Sequence, residues 1–252
     1  MSIVNGLALD HFYFGLTEKQ FQDLKTIFTP LNGIDHSVKK SGDDTWEGLY
    51  FRTRIGSYIE FLRDSRIDSF GLAISGFKSQ YINPMLIREE FPTYPWQTGE
   101  RFWENGTPWF DWLSQVDTSA ETIHYFYTWI MKYHSSHIIS DKPPARRLID
   151  STCRVEIASH PSMIELIQAQ EFWLPGRFSL NNDSKGGLLL IRDKDATEIE
   201  FSILFDESVT GFKFQNMQLR LARGQTIKNT KNDTWEVISE NQILKLILNS
   251  HL

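Results

Sequence analysis

The chain has 252 residues, of which 40% are hydrophobic and 23% charged, with a net charge of −6 and one cysteine. This length is enough for one large core or two small fused domains, and the composition excludes a disordered chain and a disulfide-stapled fold. The lack of a basic stripe argues against nucleic acid, and the lack of a signal-like N-terminus or of roughly 20 consecutive apolar residues predicts a cytoplasmic protein with no membrane partner.

The first 76 residues predict one β-α-β-β-β unit. Thr17 and Gln20 form a capping box ahead of a helix whose apolar side chains recur at helical spacing. Alternation and intervening turns predict strands over residues 7–14, 46–52, 58–62 and 72–75. A single unit of this kind leaves one sheet face uncovered, which predicts a second unit that packs against it.

Residues 77–150 interrupt this pattern with prolines and a cluster of aromatic side chains. Capping residues and apolar spacing predict a helix over 118–134, so we interpret the segment as a helical, aromatic-rich connector. Its large aromatic residues are expected mainly in the packed core, with the wall of a pocket as the alternative. They are Trp103, Trp109, Trp112, Tyr125 and Trp129.

Residues 151–252 repeat the pattern of the first unit. The signals predict a helix that begins at Pro161 and Ser162, and strands over 153–158, 188–192, 198–205 and 212–222. The tail predicts a hairpin near 229–233 and an amphipathic helix over 239–248. The predicted domains are therefore an N-terminal module (1–76), a connector (77–150) and a degenerate C-terminal module (151–252).

A short internal repeat supports a duplication. Tyr58-Ile59-Glu60-Phe61 matches Glu198-Ile199-Glu200-Phe201, and each match follows a turn within a predicted strand. His11 lies 49 residues before Glu60, and Arg154 lies 46 residues before Glu200. The shared order of elements around the two matches indicates two related halves.

The segments 9–14, 46–51, 58–62 and 71–74 together resemble the vicinal-oxygen-chelate superfamily, which includes glyoxalase I, bleomycin-resistance proteins and extradiol dioxygenases. The first 76 residues look most like an uncharacterised glyoxalase-like family of unknown function. The resemblance implies an α+β fold in which two βαβββ modules form curved mixed sheets around a cavity.

The resemblance also implies a site. Metal-dependent members take ligands from the first and last strands of each unit, which here correspond to His11, Glu60 and Glu200. One divalent ion (zinc, nickel, manganese or iron) would bind there, and Glu60 or Glu200 would act as a catalytic base. Arg154, Tyr13, Trp46 and Tyr58 are the expected substrate-binding residues.

Arg154 departs from the superfamily pattern. It stands where the second module should supply a ligand, and arginine has no lone pair to give to a metal. A slip of two residues in the alignment would put Glu156 on the same face; otherwise Arg154 pairs with Glu200 and leaves two ligands, too few for a tight site.

Three functions therefore stay open. The first is a metal-assisted lyase, isomerase or dioxygenase that acts on a small oxygenated substrate. The alternative is a metal-free protein that binds or sequesters a small molecule, and the third is a structural domain. The expected partner is a small-molecule ligand, and the chain is expected to be a monomer or a homodimer.

Other reactive residues have ordinary interpretations. Cys153 is expected to be a small buried hydrophobe in a strand, and His36 a solvated loop residue. His134 and His137 are expected at a helix end, where a cation is favourable.

Overall fold

The computed structural model describes residues 6–31, 33–41, 44–54, 57–63, 68–76, 83–102, 105–115, 126–134, 147–194 and 196–249. Within these ranges the chain forms two eight-stranded sheets and three helices. The first sheet and its helices comprise β1 (Leu7–Gly15), α1 (Glu18–Phe28), β2 (Ile34–Ser41), β3 (Asp44–Arg52), β4 (Tyr58–Arg63), β5 (Phe70–Gly76), α2 (Pro84–Glu90), β6 (Trp96–Phe102), β7 (Pro108–Gln115) and β8 (Phe126–Tyr133).

The second sheet follows along the chain. Its elements are β9 (Ile149–Ser159), α3 (Met163–Gln170), β10 (Gly176–Leu180), β11 (Gly186–Arg192), β12 (Glu198–Phe205), β13 (Phe212–Leu221), β14 (Thr230–Lys231), β15 (Trp235–Glu240) and β16 (Ile243–Leu248). No helix in the described ranges is long and apolar enough to cross a bilayer.

Each sheet consists of two units joined through their first strands. The first sheet has the order β2-β3-β4-β1-β5-β8-β7-β6, in which β1 is parallel to β4 and antiparallel to β5. This order is two βαβββ units side by side, and the second sheet repeats it as β10-β11-β12-β9-β13-β16-β15-β14. The predicted α+β fold of two glyoxalase-like halves is confirmed.

The last unit, β13 to β16, lacks a helix, and its last three strands run in the opposite direction to the corresponding strands of the first sheet. β5 is parallel to β8, whereas β13 is antiparallel to β16. Parallel neighbours require a crossover that returns the chain to the starting edge, usually by a helix. Since residues 222–229 connect β13 to β14 without a helix, the next strand starts at the edge where β13 ends.

The prediction of a helix over 118–134 is wrong where the structure describes it. Residues 126–133 form β8, while residues 116–125 and 135–140 lie outside the described ranges. Phe126, Thr128 and Ile130 are buried on one face, and aromatic residues occupy the other. A strand with two apolar faces reads like a buried helix in sequence. The three-part domain division stays a prediction, but β6–β8 belong to the first sheet.

The prediction of a C-terminal helix over 239–248 is also wrong. β15 and β16 form a hairpin, and Leu244 and Leu246 point into the core while Lys245 points away. Asn241 and Gln242 form its two-residue turn with positive φ angles of 51° and 63°. The hairpin predicted near 229–233 is confirmed as β14 and β15.

Four strands have no counterpart among the sequence-based predictions: β2, β6, β7 and β10, all but β7 at the edge of a sheet. β2 carries Val38 60% exposed, and the only buried side chain of β10 is Phe178. Edge strands that bury few side chains have weak hydrophobic alternation, so the pattern that marks internal strands is missing there.

Aromatic side chains pack the two sheets against each other. Phe12 of β1 contacts Phe201 of β12 with ring centroids 5.2 Å apart, and Phe14 contacts Phe214 of β13 at 4.9 Å. Because alternate residues face opposite sides of a strand, these contacts turn His11 and Tyr13 to the other face of the first sheet. The core between the sheets thereby orients the candidate site.

Candidate functional site

The first sheet curls around a cavity of about 340 Å³. The wall comes from six of its strands, since β1, β3, β4, β6, β7 and β8 all contribute side chains. Most of the described wall is aromatic: Tyr13, Trp46, Tyr58, Trp109, Phe110, Trp112, Tyr127, Trp129 and Tyr133. The large aromatic residues of the middle segment were expected mainly in the core; Trp109, Trp112 and Trp129 instead line this cavity, and Trp103 and Tyr125 lie outside the described residues.

Glycines allow the rings to lie flat on the sheet. A Cβ atom on Gly71 would lie 1.9 Å from the ring of Tyr13, and one on Gly99 would lie 2.5 Å from the ring of Trp112. Only glycine leaves room for a ring against the neighbouring strand in this way. The cavity wall therefore depends on β5 and β6 as much as on the strands that carry the rings.

Lys39 links the two ends of the curled sheet. It lies on the end strand β2, and its Nζ is 5.0 Å from the ring centroid of Trp109, which lies near the opposite end on β7. The same ammonium is 4.2 Å from the ring of Tyr50. Burial lowers the pKa of Lys39, while the charge of Glu60 opposes this shift. The contact holds the sheet ends together across the cavity.

Asp10 lies at a β-bulge directly behind the cavity wall and is 1% exposed. Its carboxylate accepts hydrogen bonds from Ser75 Oγ at 2.8 Å and Tyr133 Oη at 3.0 Å, and it lies 2.5 Å from Lys194 Nζ of the second half. Burial alone would raise the pKa of Asp10, but the charge of Lys194 and the hydrogen bond with His11 hold that pKa well below its usual range. A charged carboxylate at this depth requires such partners.

Asp10 also orients His11. Nδ1 of His11 lies 2.9 Å from Asp10 Oδ1, and its ring stacks on Tyr58 with centroids 4.3 Å apart. Trp129 meets the imidazole edge-on at 5.4 Å. A carboxylate acceptor at Nδ1 favours the tautomer in which Nε2 carries the lone pair. Nε2 has no hydrogen-bond partner among the described residues.

Glu60 is the carboxylate that lines the cavity. It lies on β4 opposite Tyr13 of β1 and is 7% exposed. In the described part of the chain it has neither a hydrogen bond nor an ion pair. The neighbouring phenols of Tyr58 and Tyr133 stay protonated and carry no charge, because burial raises their pKa values well above the usual range. Glu60 and Nε2 of His11 are therefore polar groups of the described wall that are open to a ligand.

The structure brings together five of the seven residues that the sequence singled out. His11, Glu60, Tyr13, Trp46 and Tyr58 all line the cavity. The other two, Arg154 and Glu200, lie on β9 and β12 of the second sheet, 3.2 Å apart, as the alternative of an Arg154–Glu200 pair predicted.

Strand register corrects the alignment of the two halves. Glu60 lies opposite Tyr13, and Glu200 lies opposite Arg154. If the two glutamates are equivalent, Arg154 corresponds to Tyr13, and Thr152, two residues earlier, corresponds to His11. Glu156 does not occupy the His11 position either; it accepts from Asn216 Nδ2 at 2.5 Å.

The donors in the cavity wall do not fit a divalent metal. His11 and Glu60 are two potential ligands, whereas protein metal sites typically use three or more. Within the described ranges no three His, Cys, Asp or Glu residues are grouped so that they could hold an ion. On the side of the cavity formed by the second unit of the first sheet, β8 presents Tyr127, Trp129 and Met131, none of which is a His, Cys, Asp or Glu residue.

Two histidines have structural partners that the sequence did not reveal. His36 is not in a loop: it lies on β2, and its Nε2 is 2.7 Å from Glu47 Oε1. His134 follows β8, and its Nε2 is 2.8 Å from Asp111 Oδ1. His137 lies outside the described residues. Cys153, expected to be buried, is half-buried.

Asp10 and Lys194 are site residues that were not predicted from the sequence. Asp10 stands beside His11 in a strand, so an apolar alternation interrupted by two adjacent polar residues was the available signal of a bulge. Nothing local marks Lys194, because its partner belongs to the other half of the chain.

No family model and no curated protein matches this chain. Among solved structures, a hypothetical protein from Staphylococcus aureus is similar with a TM-score of 0.58 and 11% sequence identity, and the match covers 94% of this chain and 97% of that chain. At such identity the likeness is one of fold alone.

Two other similar structures have TM-scores below 0.5, too low to support an argument. A mutant of 4-hydroxymandelate synthase from Streptomyces coelicolor has a TM-score of 0.42 and 7% identity over 79% of this chain and 63% of that chain. Glyoxalase I from Zea mays has a TM-score of 0.27 and 10% identity over 84% and 73%. The strand topology itself, with its paired βαβββ units around a cavity, gives the chain a fold of the vicinal-oxygen-chelate type.

Proposed function

We propose that this protein binds a small organic molecule with an aromatic or apolar body in the cavity of the first sheet, and that it does so without a metal ion. The observation that carries this proposal is the aromatic wall of the cavity, which curves around a volume in the range of small-molecule pockets. Stacking on rigid rings supplies affinity at little cost in conformational entropy.

Tryptophan fluorescence tests the proposal. Because Trp46, Trp109, Trp112 and Trp129 line the cavity, titration with small aromatic compounds should give a saturable change with one site per chain. Trp129→Leu should weaken that binding by about 3- to 10-fold, since it removes one stacking face. Arg154→Gln, on the second sheet, is the matched control and should bind normally. Equal losses in both variants, or no saturable change with any compound, would contradict the proposal.

Metal content distinguishes this proposal from metal-assisted chemistry. After incubation with zinc, nickel, manganese or iron(II) and removal of unbound ions, the protein should retain well under one ion per chain, because the wall supplies two ligands. One ion per chain that is lost in a His11→Ala, Glu60→Gln double variant would replace the binding proposal with a metal enzyme.

Acid–base catalysis is a second candidate, favoured by the contact between Asp10 and His11. A carboxylate at Nδ1, with an Nε2 that bonds to none of the described residues, is the arrangement of a general base. The test is incubation with carbonyl compounds in deuterium oxide, with NMR detection of deuterium on the carbon next to the carbonyl. Exchange that His11→Gln abolishes would support this candidate, and lack of exchange in the wild type would remove it.

A further inference from the structure

Glu60 needs a partner that the described chain does not provide. The residue is 7% exposed, its side chain lines the cavity, and it accepts no hydrogen bond from the described residues. A donor on a ligand in the cavity can therefore pair with this carboxylate, and hydrogen bonds between charged groups are among the stronger ones. The other nearby carboxylate, Asp10, is already neutralised by Lys194 at 2.5 Å. Glu60 is therefore the carboxylate of the described cavity lining, which also contains the cation Arg101.

The rings around Glu60 are suited to a cation. An ammonium group over an aromatic face is attracted by the ring quadrupole, and tyrosine and tryptophan provide the best faces. The chain itself uses this attraction beside the cavity, where the ammonium of Lys39 lies over the rings of Tyr50 and Trp109. Tyr13 and Trp129 provide further faces in the wall.

From these two observations we infer that the ligand is an organic cation, with an ammonium or related group at Glu60 and an aromatic or apolar body among the rings. The inference rests on the proposed binding function and names its ligand class. Lys39 and Arg101 lie on β2 and β6, the two end strands, whereas Glu60 lies on the internal strand β4. A cationic head group at Glu60 would share the wall with Arg101, and Arg52 of β3 lies 5.5 Å from the ring of Tyr58, so the ammonium must pair with Glu60 closely enough to outweigh these like charges.

The experiment compares three ligands that share one ring and differ in the head group: 2-phenylethylammonium, 2-phenylethanol and 3-phenylpropionate. Wild-type protein should bind the ammonium compound about 10- to 100-fold more tightly than the alcohol, the usual strength of a hydrogen bond to a charged group. Glu60→Gln keeps the shape of the side chain and should abolish that preference. Glu200→Gln, the matched glutamate of the second sheet, should keep it.

Lys39→Met gives a second, opposite readout. Removal of a like charge should raise the affinity for the ammonium compound by about 2- to 5-fold at low salt, because the repulsion between partly exposed charges is modest. A ligand that needed an anion site at Lys39 would instead bind more weakly to this variant.

The outcomes separate the ligand class from the binding function. If the alcohol or the propionate binds wild-type protein as tightly as the ammonium compound, the cation inference is wrong and the binding function stands. If none of the three compounds, nor any other small aromatic compound, changes the tryptophan fluorescence, both are wrong. The comparison of ligands on wild-type protein requires no variant, so it decides the matter even where Glu60→Gln fails to fold.

Discussion

Glu47 shows how one side chain can join three elements of the first sheet. Its carboxylate accepts from Lys25 Nζ of α1 at 2.8 Å, lies 2.7 Å from His36 Nε2 of β2, and lies 2.7 Å from Arg63 Nε of β4. Burial alone would raise the pKa of Glu47, but the hydrogen bonds with Lys25 and His36 and the nearby charges lower it to about 2. The folded protein therefore stabilises the ionised form of Glu47 relative to the unfolded chain.

This shift predicts acid sensitivity at the residue scale. A carboxyl group whose folded pKa is depressed contributes stability above its unfolded pKa of about 4.3, and that stability is lost as the pH falls towards the folded value of about 2. Between pH 6 and pH 2 the wild type should lose on the order of 3 kcal/mol more unfolding free energy than Glu47→Gln. Denaturant titrations at several pH values measure the difference. Glu89→Gln, at an exposed carboxylate of α2 outside this cluster, should behave like the wild type; equal slopes for wild type and Glu47→Gln would refute the prediction.

At the scale of elements, the hairpin of β15 and β16 depends on its turn. Two-residue turns of this kind match the twist of the strands but need positive φ at both positions, for which Asn-Gly is the preferred pair. Asn241 tolerates that conformation, whereas Gln242 at φ 63° is strained by its Cβ atom. The hairpin completes one end of the second sheet despite this cost, because Leu244 and Leu246 are buried.

Gln242→Gly should therefore stabilise the protein. The expected gain is about 0.5–1 kcal/mol, since relief of the left-handed strain exceeds the extra freedom that glycine has in the unfolded chain. Gln242→Ala keeps the Cβ atom and should give no gain. Thermal or denaturant unfolding compares the two, and a Gly variant no more stable than the Ala variant would show that the turn is not strained.

At the scale of the whole molecule, the two halves share a buried ion pair as well as an aromatic core. Lys194 follows β11, and its side chain, 12% exposed, reaches Asp10 behind the cavity wall. Arg192 Nη2 donates to the carbonyl of Leu7 at 2.9 Å in the same region. Lys194 of the second half thus keeps Asp10 in the position that orients His11, although no described side chain of the second half lines the cavity.

Lys194→Met should destabilise the protein by about 3–5 kcal/mol, because it leaves Asp10 buried without its cation. Adding Asp10→Asn to that variant should recover part of the loss, since the uncompensated charge is then removed. Lys231→Met breaks an exposed pair with Glu236 in the same sheet and should cost no more than about 1 kcal/mol. Chemical denaturation of the wild type, of these three variants and of Asp10→Asn alone gives the coupling energy between Lys194 and Asp10. Similar costs for Lys194→Met and Lys231→Met would mean that the buried pair contributes little.

Local patterns determined a large part of this protein. The capping box of Thr17 and Gln20, the strands around His11 and Glu60, and the duplication of the β-α-β-β-β order could all be read from the sequence, because capping, alternation and turns depend on residues close together in the chain. The resemblance to the superfamily, carried by the same segments, predicted that His11, Tyr13, Tyr58 and Glu60 share one site; the structure brings these four side chains to one cavity, and their role there stays a prediction.

Tertiary structure alone decided what surrounds that site. β8 could be read as a helix because both of its faces are apolar, and only the sheet shows that one face lines a cavity and the other faces the core. The partner of Asp10, the separation of Glu200 from Glu60, and the contact of Lys39 with Trp109 join distant parts of the chain. A periodic pattern reports which face of an element is apolar, but the element that covers this face is selected by long-range packing, which leaves no local trace in the sequence.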